Sequence, residues 1–353
     1  MKVLGIESSC DETAASVVED GKRLLSNVVA SSMDLHAKYG GVVPEIAARS
    51  HIEAIVPVIE EALETAKCTW DDIDAIAVTY GAGLNGSLLI GVLAARTLAI
   101  AKKKPLYAIN HVEGHLYANY LIETPLPDYA LPAAQPQFPV LGLIVSGGHS
   151  QLVLFRDHFD YTLLGQTQDD AVGEAFDKVA KMLGLAYPGG INVSLLAKEG
   201  NPKACPLPKA RMTGKYDFSF SGLKTAVLRT AQELVGKDYS LPSWQLPGML
   251  SDEHKRNIAA SFERIAYETL VDKTVMAFEE FQPKSFIIGG GVAANPELRR
   301  QLAERLPLDI AYTDRKLCTD NGAMIATLGC YKAMLGAETA DPYTLETAPN
   351  LSM

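Results

Sequence analysis

One local pattern occurs twice in this chain and restricts the folds open to it. Residues 3–7 (VLGIE) are an apolar run, followed by a turn of small and polar residues and a second alternating run over 13–18. Residues 140–145 (VLGLIV) repeat the arrangement, with Ser146, Gly147, Gly148 and His149 in the turn and a further run over 151–155. Each copy reads as strand, turn, strand. Small turn residues let backbone N–H groups approach an anion. Two copies about 137 positions apart predict a duplicated domain whose halves grip a phosphorylated ligand.

The rest of the chain alternates strand and helix, as an α/β protein requires. Residues 73–79 form a buried-strand run before a glycine-containing turn and a long helix to about Lys103. Residues 105–109 are another strand. Residues 286–288 lead into Gly289, Gly290 and Gly291, then Asn295 and Pro296, an N-cap and first-turn proline. A strand at 310–312 and a polar turn precede a last helix over 323–335. Residues 124–139 hold five prolines and read as the crossing between halves; residues 236–254 are a second irregular excursion without an assigned role.

Composition narrows the class. A length of 353 residues suits about two domains, and 48% hydrophobic residues suffice for their cores. The longest apolar run, 87–101, is too short to span a bilayer and is interrupted by Arg96. Glu7 arrives before a signal-peptide core can form. Cys10, Cys68, Cys205, Cys318 and Cys330 are odd in number and include no CxxC pair, so reduced thiols in a cytoplasmic protein are expected.

His111 and His115 stand four apart at the start of an expected helix, where both rings can reach one metal. With His111 at 0° and His115 at about 40°, Glu113 falls near 200°, on the far side of the helix. It is therefore a poor base for a metal-bound water, and the pair reads as a metal site unsuited to proteolysis. Two histidines that merely pack or cap a helix are the alternative.

The net charge of −10 opposes nucleic-acid binding. Yet Lys203, Lys209, Arg211, Lys215, Lys224 and Arg229 face one acid, Asp217, within thirty residues that also hold Phe218 and Phe220. That stretch is either a surface for phosphate backbones or an ordinary solvated face.

Eight separated blocks together resemble the universal tRNA adenosine threonylcarbamoyltransferase family (TsaD type, formerly called glycoprotease). They are residues 5–13 (GIESSCDET), 40–51 (GGVVPEIAARSH), 111–115 (HVEGH), 145–150 (VSGGHS), 169–185 with 187–190 (YPGG), 218–225 (FSFSGLKT), 289–295 and 319–326 (TDNGAMIA). The resemblance implies an actin, sugar-kinase and Hsp70-type fold: two duplicated α/β lobes, mixed five-stranded-type sheets flanked by helices, and a ligand in the interlobe cleft. The expected lobes are 1–110, joined by 331–353, and 111–330, which carries the metal and nucleotide site. Residues 80–83 (YGAG) and Ile191 depart from the family's usual prolines.

By the same resemblance Asp320 is the third metal ligand, completing a cation site with His111 and His115 that bridges the lobes. One divalent ion per subunit is expected, iron(II) in preference to zinc; an N-cap is the alternative role for Asp320. Val145, Ser146, Gly147, Gly148 and His149 are expected at the phosphate or acyl end of a nucleotide. Asp177 and Gly190 are expected at its ribose, and Asn295 at the adenine or ribose. On the residues alone, Asp177 could equally pair with Lys181 on a helix surface. The implied reaction moves threonylcarbamoyl from threonylcarbamoyl-AMP to N6 of the adenosine beside the anticodon, position 37 of ANN-decoding tRNAs, and AMP leaves. Asp11, Glu12 and Lys224 are the catalytic candidates. The implied partners are tRNA, a paralogous subunit of the same fold (TsaB type) and a small ATPase (TsaE type), with no membrane. The paralogue would dock near residues 44–66, although Ile52, Ile55, Val56, Ile59 and Leu63 at helical spacing also suit an ordinary core. The alternative function is an ATP-dependent small-molecule kinase of the same fold, which leaves His111, His115 and Asp320 without work.

Overall fold

The computed structural model describes residues 1–353. The first apolar run becomes β1 (Lys2–Glu7), which pairs antiparallel with β2 (Glu12–Glu19), Val3 opposite Val18 and Glu7 opposite Ala14. The strands β3 (Arg23–Leu24), β4 (Val28–Ser31), β5 (Ala75–Gly81) and β6 (Leu106–Asn110) complete a six-stranded sheet. Its order is β3-β2-β1-β5-β6, with β4 on β2, and both β1–β5 and β5–β6 are parallel.

The second copy repeats this start. β7 (Val140–Val145) pairs antiparallel with β8 (Ser150–Asp157), which pairs with β9 (Asp160–Gln166). With β10 (Ser285–Gly289) they form a sheet of order β10-β7-β8-β9. Residues 310–312, expected as a strand, lie in no strand or helix. The mixed α/β architecture matches the fold class expected, although the sheets have six and four strands instead of five each.

The chain forms two compact units. The first comprises Met1–Gln137, Ile287–Gly290 and Ala311–Met353; the second comprises Phe138–Phe286 and Gly291–Ile310. The proline-rich segment does mark the crossing, but the expected boundary at residue 110 is wrong. Helix His111–Tyr117 starts directly at the end of β6, and helix Gly322–Met334 packs on β1 and β2, so both stay with the first sheet.

One face of the first sheet is covered by helices Pro44–Thr65 and Asn85–Lys102, where Leu4, Ile6, Ile76 and Val78 meet Ile55, Ile59, Val92 and Ala95. Full burial of each large aliphatic side chain contributes about 1.5–3 kcal/mol. Helix Gly322–Met334 covers the other face with small residues. A Cβ on Gly5 would collide with the backbone of Gly322 and Ala326, and one on Gly329 with Ala77. In the second unit Phe176 packs edge-on to Phe262 at 4.8 Å and stacks on Tyr267 at 5.3 Å.

Gly5→Ala is therefore expected to destabilise the protein by about 1–3 kcal/mol. Gly147→Ala, whose Cβ enters open space, should leave stability unchanged. Thermal unfolding of the two variants checks this contrast.

Candidate active site

Asn110 ends β6 and starts the histidine helix. Its Oδ1 accepts from Val112 N–H at 2.9 Å and Glu113 N–H at 3.5 Å, while its amide donates to Ser352 O at 3.0 Å. This cap sets His111 as the first helical residue, and Gly114 lets the short helix lie against Ile325 and Met324. Asn321, not Asp320, caps helix Gly322–Met334, accepting from Met324 N–H at 2.9 Å. The carboxylate of Asp320 is thereby left for other work.

It meets both imidazoles. His115 Nε2 lies 3.4 Å and His111 Nε2 3.6 Å from Asp320 Oδ1, with the two ring centroids 4.7 Å apart. One ligand atom from each of the three residues lies within 4.8 Å of the others. Two imidazole nitrogens and one carboxylate oxygen with open positions suit iron(II) or zinc. All three residues belong to the first unit, so the expectation of a site bridging two lobes is incorrect. Glu113 is buried elsewhere. It is not among the clustered ligands, as its place on the far side of the helix predicts, and burial raises its carboxyl to about 7, opposed by Lys332.

Glu7, the last residue of β1, was not among the expected site residues. It is fully buried and accepts from His111 Nδ1 at 3.2 Å, from Ser9 N–H at 2.5 Å and from the Thr79 hydroxyl. A carboxylate on the outer nitrogen of a metal-binding histidine fixes its tautomer and orientation. The available signal was a carboxylate closing an otherwise apolar strand.

The charges around this cluster act on one another. Burial alone would raise the Glu7 carboxyl, but the adjoining His111 ring and the three hydrogen bonds bring it down to about 2. Burial disfavours charge on His111, yet Asp320 and Glu7 outweigh it and hold the ring up at about 9. Asp320 is pushed up to about 6, first by burial and then by Glu7 and Asp11 against the pull of His111. Glu12 is pushed up to about 9 by burial, Asp320 and Asp11. The turn bearing Asp11 and Glu12 thus lies beside the ligand cluster, with Ser31 donating to Glu12 at 3.2 Å.

The nucleotide candidates lie in the second unit. Ser146 N–H donates to His149 O at 2.8 Å and Ser146 Oγ accepts from His149 N–H at 3.1 Å, closing a tight turn after buried Val145. Gly147 and Gly148 are exposed at its tip. Asp177 is not paired with Lys181; its Oδ1 accepts from Gly189 N–H at 2.8 Å at the start of helix Gly189–Ala197, next to Gly190. Burial raises its carboxyl, and the Gly189 and Gly190 N–H groups oppose that.

Asn295 is already occupied. Its Oδ1 accepts from Glu297 N–H at 2.8 Å and Leu298 N–H at 3.4 Å, and its amide donates to Ser194 at 2.7 Å and Glu263 at 3.3 Å. It lines a cavity of about 410 Å³ with Ser194, Glu263, Arg264 and Arg300, within the size range of small-ligand sites. Lys224 is likewise held: its ammonium lies 2.7 Å from Asp170, which Lys178 also contacts. In the basic stretch Lys209 pairs with Glu268 and Asp272, and Lys215 with Glu280. Three of the six cations of 201–230 are therefore matched by acids of helix Asp252–Phe281 or by Asp170, leaving Lys203, Arg211 and Arg229 exposed, the last over the Tyr239 ring.

The profile of the family described as "TsaD: tRNA N6-adenosine threonylcarbamoyltransferase" matches residues 23–327. The chain belongs to this family. It is 51% identical over 332 residues to the tRNA N6-adenosine threonylcarbamoyltransferase of Symbiobacterium thermophilum, covering 93% of this chain and 91% of that one. The enzyme of the same name from Dehalococcoides mccartyi is 46% identical over 353 residues, covering 100% and 99%. Among solved structures, HypF of T. kodakarensis superposes with a TM-score of 0.62 at 13% identity, over 96% of this chain and 48% of that one. A full-length HypF in its phosphate- and nucleotide-bound form gives 0.58 at 13% identity, over 94% and 55%. At that identity the likeness speaks for the fold, which is of the actin-like α/β class. Family membership in turn disfavours the kinase alternative.

Because Asn295 works as a helix cap, Asn295→Ala should cost about 0.5–2 kcal/mol of stability. Asn295→Asp, which keeps the cap acceptor, should recover part of it. Urea unfolding of both variants measures the difference.

Proposed function

We propose that this protein transfers a threonylcarbamoyl group from threonylcarbamoyl-AMP to N6 of the adenosine beside the anticodon of tRNA, releasing AMP. Family membership supplies the reaction. The observation that carries the site is the convergence of His111, His115 and Asp320 on one point, backed by buried Glu7. We assign one divalent cation to those three ligands, iron(II) in preference to zinc. When bound, it would supply Lewis acidity and a fixed anchor for an oxygen-rich substrate.

The chain's own groups meet the remaining demands. The exocyclic amine is a weak nucleophile because its lone pair is shared with the purine ring, so orientation and a polarised carbonyl dominate the barrier. Gly147 and Gly148 keep their N–H groups free of intrachain hydrogen bonds at an exposed turn, which suits them to a phosphate or developing oxyanion. Asp11, beside Asp320, is the carboxylate assigned to take the proton from the amine, and Glu12, which burial, Asp320 and Asp11 keep protonated near neutral pH, is assigned to holding the turn. Asp177 supports the ribose end through the Gly189–Gly190 turn. Lys224, paired with Asp170, is assigned to positioning that carboxylate instead of direct phosphate contact.

A paralogous subunit of the same fold, together with a small ATPase, is the proposed assembly. Its support is an apolar groove of about 540 Å³ between helices Pro44–Thr65 and Asn85–Lys102. Ile55, Ile59 and Leu63 are buried there as core, but Ile52 and Val56 are 60% and 58% exposed. Contiguous apolar exposure of this kind marks protein contacts. No helix is long and apolar enough to cross a membrane, and all five cysteines are free thiols.

Purified protein should contain about one transition-metal ion per chain, lost together with transfer activity in the His111→Ala, His115→Ala double variant. Elemental analysis and transfer from synthetic acyl-adenylate to unmodified tRNA test this; unchanged metal content would remove the site. Charge reversal at Lys203 and Arg211 should weaken tRNA binding and flatten its dependence on salt, by about one unit of slope for each phosphate no longer neutralised. Indifference of binding would make the stretch mere surface.

A further inference from the structure

Two buried histidines outside the metal cluster are unused by the mechanism. His36, in the short helix Met33–Ala37, and His51, in helix Pro44–Thr65, are both 0% exposed. For His36 the hydrogen bonds have only one consistent set of directions. Val43 N–H can only donate, and it meets His36 Nδ1 at 3.2 Å. The hydrogen of His36 therefore sits on Nε2, which donates to Ser32 Oγ at 3.1 Å. The Ser32 hydroxyl in turn donates to the carbonyl of Asp11 at 2.9 Å, joined there by Ser32 N–H at 2.9 Å.

For His51 the partners fix one nitrogen, and its burial decides the other. Its Nε2 meets the carbonyl of Cys10 at 3.0 Å, which can only accept, so this nitrogen carries the hydrogen. In the neutral ring its Nδ1 accepts from the Thr13 hydroxyl at 2.7 Å. Ser87 Oγ donates to the same Cys10 carbonyl at 3.1 Å, and Leu84 N–H takes the neighbouring Ser9 carbonyl at 2.7 Å. Every backbone carbonyl from Ser9 to Asp11 is thus held by a group outside the turn. Burial also lowers the His51 ring below its ordinary value, in keeping with a neutral imidazole.

We propose that His36 and His51 are positioning residues which, as neutral Nε2–H imidazoles, clamp the carbonyls of Asp11 and Cys10. The clamp holds the carboxylates of Asp11 and Glu12 beside Asp320. This rests on the transferase reading for its consequence in catalysis, but not for the clamp itself. A turn freed by even an ångström would misplace both acids.

The first test is a long-range proton–nitrogen spectrum of the histidine rings in the intact protein near neutral pH, assigned with single-histidine variants. Both rings should be neutral with hydrogen on Nε2; an imidazolium or an Nδ1–H form at either position overturns the clamp. The second is kinetic. His51→Leu should lower kcat about 10- to 100-fold, with KM for acyl-adenylate and tRNA within about twofold. His51→Gln, which keeps a donor toward Cys10 O, should restore most of the rate. An unchanged kcat in His51→Leu, or a loss confined to KM, refutes the positioning role. Ser32→Ala removes the hydroxyl that joins the His36 ring to the Asp11 carbonyl while leaving the Ser32 N–H bond in place, and it should lower kcat alone if His51→Leu fails to fold; an unchanged kcat there also counts against the clamp. Wild-type protein that transfers nothing would sink the transferase reading, while the ring spectra would still decide the clamp.

Discussion

A fully buried carboxylate organises the first unit. Glu7 closes β1, and its two oxygens are shared among the His111 ring, Ser9 N–H and the Thr79 hydroxyl. These partners come from the start of the histidine helix, the turn after β1 and the end of β5. A lone carboxylate in that position would be strongly destabilising, and removing one partner of a buried pair costs about 3–5 kcal/mol. The interaction therefore locks three segments to one another while it sets the face that His111 presents to Asp320. Stability and chemistry are coupled through a single residue.

Small residues complete that arrangement from the opposite side. Helix Gly322–Met334 approaches the sheet closely because Gly5, Gly322, Gly329 and Ala326 lack bulk. Asn321 takes the capping role, so the residue before it keeps an available carboxylate. Glycine at 289 similarly lets the backbone of His115 come close. The three ligand atoms converge because backbone segments can touch, with no long side chain needed to bridge a gap.

Electrostatics divides the two units differently. In the first, several acids crowd together and burial with mutual repulsion keeps Glu12 and Asp320 above the usual carboxylate range. A cation held by the three candidate ligands would relieve that crowding. In the second, half of the basic stretch is matched by acids, Lys209 and Lys215 by those of Asp252–Phe281 and Lys224 by Asp170, an arrangement that reduces its reach as a phosphate surface. Charge counted along a sequence overstated charge available to a partner, because the matching acids lie some sixty positions away.

The duplicated strand–turn–strand units, the helix and strand alternation, the proline-rich crossing and the spacing of His111 and His115 were legible in the residues, since each depends on local periodicity and turn chemistry. The far-side placement of Glu113 followed from helical geometry alone. The boundary between units was misread because a helix directly after β6 belongs to whichever sheet its apolar face covers, which local sequence does not specify. The capping by Asn295 was legible, but the role of Glu7, the bonds of the Asn295 amide to Ser194 and Glu263 and the pairing of Lys224 with Asp170 were hidden, since each depends on partners brought together from distant positions. Sequence by itself determined the elements and the chemical types available. Tertiary structure alone decided that all three candidate ligands share one unit, because only close backbone packing turns residues two hundred positions apart into neighbours.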